Sequence, residues 1–96
     1  MEELKMAEIK SIGILETKGF TPLIEGADAA VKAANVEVVE WRQLGSGIVS
    51  LVIEGEVAAV RSAIEAARSA ATRVGEVISD TVIPRPVGEL RTTFNK

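Results

Sequence analysis

Three short stretches of this chain carry groups that a ligand or a partner surface can use. The first is Gln43 and the step Gly45-Ser46-Gly47, set between the strand-like runs VEVVEW and IVSLVIEG. Read locally, this is a hairpin turn in which the glycines supply positive φ. Read functionally, its backbone N–H groups and the Ser46 hydroxyl contact a small polar molecule. One such loop binds weakly. The second stretch is AAVKAAN, with Lys32 on the border of an apolar helical stripe and Asn35 near the helix end. Lys32 is either a solvated lysine or an edge residue packing its methylene stem on another subunit. Asn35 is either a terminal cap or an interface hydrogen-bond donor. The third is Arg85, held between Pro84 and Pro86. Locally it is an exposed arginine in an extended segment. The flanking prolines stiffen the backbone, and a rigidly aimed guanidinium suits bidentate contacts to a neighbour's carbonyls or carboxylates.

Other chemistry is missing. The chain has no histidine and no cysteine. Thiol nucleophiles, disulfides, nitrogen- or sulfur-ligated zinc and histidine acid–base catalysis all fall away. Only an all-carboxylate metal site survives that filter, and no pair among the scattered acids stands out as a catalytic couple. Glu16 is placed where partial burial at the end of the first strand is expected. Gly55-Glu56 before a helix has the form of an anion site, as does any such turn. No catalytic residue, metal ligand or cofactor is therefore expected. The net charge of -3, with signs interspersed, argues against a nucleic-acid platform. No apolar run reaches the roughly 18 residues of a membrane span. The first eight residues, MEELKMAE, are unlike a signal peptide. The missing cysteine is compatible with a reducing cytosol.

Ninety-six residues make one domain, and a chain this short buries roughly 65% of its unfolded surface. With three aromatic residues, Phe20, Trp41 and Phe94, the core must be Ala, Val, Ile and Leu. A strand begins near Ile9 and breaks at Lys18-Gly19. Thr21 is the expected N-cap of a first helix, with Pro22 at its first position. Leu23, Ala27, Ala30, Val31 and Ala34 form its apolar stripe. A strand from Val36 to about Arg42 and another from Ile48 to Glu54 form a hairpin. A second helix follows Gly55, with Val57, Val60, Ile64, Ala67, Ala71 and Val74 on one face, and Gly75 is a natural stop. A last strand, Glu76 to Ile83, is expected to end at Pro84-Arg85-Pro86. The order βαββαβ predicts an α+β, ferredoxin-like split βαβ sandwich: one antiparallel four-stranded sheet with both helices on one face. Residues 1–8 form an N-terminal extension, 9–86 the domain and 87–96 a tail, with Leu90 and Phe94 placed to dock.

The segments IGILETKGF, IEGADAAVKAANVEVV, GSGIVSLVIEGEVAAVRSAIEAA, RVGEV and VIPRP, in that order and without insertions, resemble the hexamer-forming BMC-domain shell proteins of bacterial microcompartments. The resemblance covers about Ile9 to Pro86. It implies a structural protein rather than an enzyme, located in the microcompartment shell of a bacterial cytoplasm. It implies homohexameric tiles with a central pore for small polar metabolites, joined edge to edge with other shell proteins. By that similarity Gly45, Ser46 and Gly47 line the pore, with Gln43 just outside it. Lys32, Asn35 and Arg85 lie at the hexamer–hexamer edge. Targeting peptides of the enclosed enzymes are a further partner class left open. The pore step resembles the diol- and aminoalcohol-processing compartments more than the carboxysome. Departures are Thr81 and Val87 where many relatives carry His, Gln43 where many carry Lys, and Trp41 where Tyr is common.

Two rival readings use the same fold. A small-molecule regulatory module would be dimeric and hold its ligand at the subunit interface. An acyl phosphate hydrolase would need an arginine in a phosphate-cradling loop and a water-orienting amide, and Arg42 and Asn35 are poorly placed for those roles.

Overall fold

The computed structural model describes residues 9–86. Its elements are β1 (Ile9–Lys18), α1 (Phe20–Ala33), β2 (Val36–Gly45), β3 (Ile48–Gly55), α2 (Val57–Val74) and β4 (Val77–Pro86). The strands form one sheet in the order β2-β3-β1-β4. All three pairings are antiparallel. This is the split βαβ arrangement that the order of elements predicts. The expected docking of Leu90 and Phe94, and the 1–8 extension, lie outside the described residues.

The helices seal one face of the central strands. Leu15 of β1 and Leu51 and Ile53 of β3 are fully buried beneath Leu23, Ala30, Val60, Ala63, Ala67 and Ala71 of the helices. The many alanines let backbones approach closely. One close approach is at Gly13, where a Cβ would lie 2.6 Å from Cγ1 of Ile64 and 2.8 Å from Cγ1 of Val60. Real Cβ atoms do not come that close, so glycine is required where α2 crosses β1.

Several local expectations are corrected. Helix α1 starts at Phe20, two residues earlier than Thr21 as N-cap would require, and its N-cap is Gly19 with no side-chain cap bond. The hydroxyl that acts here is Thr17, whose Oγ1 donates to the Gly19 carbonyl at 2.8 Å. Pro22 remains in the first turn, where its missing N–H costs nothing. Val31 and Val74 share their helices' apolar periodicity yet are about half exposed. Gly75 ends α2, but with φ -174 it is extended and not left-handed. Its reason is steric: a Cβ there would lie 2.6 Å from Cγ of Pro22, at the start of the neighbouring helix.

Strand β2 is longer than expected and runs to Gly45. Register shifts next to Val39 and Leu44 accommodate two extra residues against β3. Strand β4 does not stop at Ile83. It continues through both prolines, with Pro84 opposite Ser11 and Pro86 opposite Ile9. An edge strand permits this. The ladder passes both prolines, so each ring nitrogen lies where an N–H would have pointed away from β1.

Candidate functional site

The chemistry-bearing residues separate to the two ends of the sheet. One transverse row reads Val36–Gly55–Ser11–Pro84 across all four strands. Asn35 adjoins it at the start of β2, and Arg85 adjoins it near the end of β4, opposite Lys10. The opposite row reads Gly45–Ile48–Lys18. Seven residue steps along β1 separate the rows, about 24 Å at roughly 3.4 Å per residue.

At the second end, β2 and β3 are joined by the two-residue turn Ser46-Gly47. Gly45, Ser46 and Gly47 have φ of 96, 56 and 80. Positive φ at both central residues is the pattern of a type I′ turn, whose twist matches the flanking strands. Glycine or asparagine usually fills both positions. Serine at the first is the one non-glycine residue with positive φ among the described residues. An L-residue held there costs about 1–2 kcal/mol. The loop therefore keeps a hydroxyl at a place where conformational ease favours glycine. All three residues are exposed. The Gly19 N–H donates to the Gly47 carbonyl at 2.7 Å, which pins the loop to the β1–α1 corner.

Gln43 is exposed and lies opposite the buried Val49, on the helix-bearing face of the sheet. It lines a shallow hollow of about 230 Å³ together with Gly45, Gly47, Ile48 and Val49. The structure thus brings Gln43 and the loop together. It also brings in Lys18, which composition and spacing mark only as a strand end. Lys18 pairs with Ile48 and its stem runs beside Gly47.

At the first end, Lys32 is exposed and bonded to Asp28 at 3.0 Å, one helical turn earlier. Asn35 is exposed and lines an open cleft of about 440 Å³ with Lys10, Val36, Glu37, Glu54, Gly55, Glu56 and Ala59. Lys10 and Glu54 approach to 3.8 Å within it. Glu16, elsewhere on β1, is half-buried and accepts a 2.8 Å hydrogen bond from the Ser79 hydroxyl. That is a structural contact. Among the described residues no group of three acidic side chains is placed to hold a metal ion, and no helix is long and apolar enough to cross a membrane.

A third feature is apolar surface left uncovered on the β2 side. Val39, Trp41 and Leu44 expose 52%, 46% and 46% of their surface. Half of β2's residues are apolar, and eight of its ten are exposed.

Residues 11–86 match the family model described as the BMC domain. The chain belongs to that family. BMC-domain proteins are structural and non-enzymatic, and this chain is a bacterial microcompartment shell protein. It is 44% identical over 86 residues to the bacterial microcompartment shell protein EutM of Salmonella typhimurium, covering 90% of each. It is 49% identical over 77 residues to the shell protein PduA of Citrobacter freundii, covering 80% of this chain and 83% of that one. Among solved structures it is similar to a microcompartment protein from Desulfitobacterium hafniense, with a TM-score of 0.72 and 36% identity. That match covers 79% of this chain and 41% of the other, so this shell protein spans about two-fifths of that solved chain.

Proposed function

We propose that six copies of this shell protein close around a cyclic axis into a flat tile, with Gly45, Ser46 and Gly47 lining a central pore. Gln43 flanks that pore, and Lys32, Asn35 and Arg85 join tile to tile. The tiles form part of a shell enclosing enzymes in the bacterial cytoplasm, and small polar metabolites pass by diffusion. The observation that carries this reading is the separation of the two groups. The loop caps one end of the sheet, and Asn35 and Arg85 flank the row at the other, about 24 Å away at the rise of a β-strand. A radial placement of each chain then puts the loop at a hub and the other residues at a rim. The uncovered apolar residues of β2 supply surface for the contact between chains.

The strained serine supports a hydroxyl role at the hub. Its hydroxyl and the loop's N–H groups offer donors to oxygen-bearing solutes.

Native mass spectrometry at low micromolar concentration is the test. A dominant six-chain mass is expected. Ser46→Leu should retain that mass and reduce ion conductance through a layer of tiles severalfold. A monomer or dimer as the dominant species, or conductance unchanged in Ser46→Leu, would overturn the pore.

A further inference from the structure

Gln43 beside the loop carries no charge, which suggests an uncharged pore rim. The geometry points elsewhere for the charge: we infer that Lys18 is the cationic, anion-selecting residue of the pore loop, at the mouth opposite Gln43. This inference rests on the pore reading above.

Two contacts tie Lys18 to the loop, and its neighbour Gly19 supplies a third. It is the residue of β1 directly opposite Ile48, the first residue after the turn. Its side-chain stem runs along the loop, with Cε 3.5 Å and Cδ 3.9 Å from the place where a Cβ on Gly47 would sit. Its backbone N–H donates to the Glu76 carbonyl at 3.0 Å, while the next residue, Gly19, donates to the Gly47 carbonyl at 2.7 Å. The β1–α1 corner and the loop are therefore one rigid unit. Glycine at position 47 is favoured by its φ of 80, and the Lys18 stem lies within ordinary contact distance of that position.

The two flanking residues emerge on different faces. Lys18 follows the fully buried Thr17, so it stands on the face without helices. Gln43, opposite Val49, stands on the helix-bearing face. The loop lies between them. In a six-fold ring one mouth carries six neutral amides and the other six ammonium groups.

The charge is available. Lys18 is exposed, and among the described residues no carboxylate comes within 4.0 Å of its ammonium. Lys10, Lys32, Arg42 and Arg68 each have such a partner. The closest acids along the chain are otherwise engaged or displaced. Glu16 is held by Ser79, and Glu76 meets Lys18 through its backbone carbonyl. A ring of exposed ammonium groups at a narrow opening concentrates anions there, although the tile as a whole is acidic at 6 × -3, or -18. The solutes favoured are small carboxylates and phosphate esters over cations of equal size.

The test uses layers of the full-length protein across a solid-state aperture under a KCl gradient. The reversal potential gives the chloride-to-potassium permeability ratio. Lys18→Gln should retain the six-chain mass and lower that ratio by about tenfold at low salt. The difference should shrink near 1 M salt, where the Debye length is about 3 Å. Lys18→Arg should restore the ratio, which separates charge from stem packing. A six-chain tile whose conductance responds to Ser46→Leu but whose ion preference is unmoved by Lys18→Gln overturns this inference alone. Loss of the six-chain mass in the unmodified protein, or conductance indifferent to Ser46→Leu, removes the pore and this inference together.

Discussion

Strands β1 and β3 at the centre of the sheet and β2 at its edge are built from similar residues and end in opposite circumstances. Leu15, Leu51 and Ile53 are fully buried, and Gly13 leaves no room for a methyl group against Ile64. On β2, Val39, Trp41 and Leu44 carry as much apolar surface and leave about half of it open. The centre is complete within one chain. The β2 side is left open within the single chain. On the proposed tile, stability rests on the central strands and assembly on β2, so a substitution should damage one without the other.

The largest effect should come from the centre. Leu51→Ala removes a fully buried side chain and should cost about 3 kcal/mol. For a domain this size that lowers the thermal midpoint by roughly 12 °C or more. Gly13→Val should be comparably damaging through overpacking against Val60 and Ile64. Scanning calorimetry checks both, and an unchanged midpoint in either would break the distinction between strands.

Trp41→Ser should act the other way. Circular dichroism of the separated chain at high dilution should be unaltered, because a half-exposed residue contributes little to the single chain. The six-chain species should lose about 2 kcal/mol or more per contact if Trp41 is a buried aromatic anchor between chains. Native mass spectrometry across a dilution series would read this as a shift from six chains to fewer. A hexamer equally resistant to dilution would place the contact elsewhere.

The smallest effect sharpens the comparison at the tip of β2. Ser46→Gly relieves a left-handed serine and should raise the thermal midpoint by a few degrees, for a gain of about 1 kcal/mol. A lower midpoint would mean that the hydroxyl makes a stabilising contact outweighing the strain.

The order of elements was legible because each has a clean period and a clear breaker. Glycine at 45 and 47 marked the hairpin, and alternating valines and isoleucines marked the strands beside it. The rest depended on tertiary neighbours. Thr21-Pro22 has the form of a helix start, but the chain turns earlier because Gly19 takes positive φ and bonds to the loop. Gly75 has the form of a left-handed cap, yet its cause is Pro22, fifty-three positions earlier in the chain. The β4 prolines read as a terminator until the strand is known to lie at an edge. Of the candidate site, the loop and Gln43 were legible together, as were Asn35 and Arg85 at the far end. Lys18 was not, since its significance comes from lying across the ladder from Ile48 and has no signal in its own neighbourhood.

The two prolines of β4 also bear on a hazard peculiar to proteins stored side by side in a crowded two-dimensional array. A bare strand edge is a template onto which a neighbour's misfolded segment can zip, and a shell packs thousands of such edges together. Pro84 and Pro86 delete two donors from the outward row. The edge therefore offers a neighbouring strand no N–H at those two positions, and is a poorer template for zipping than an unbroken strand would be.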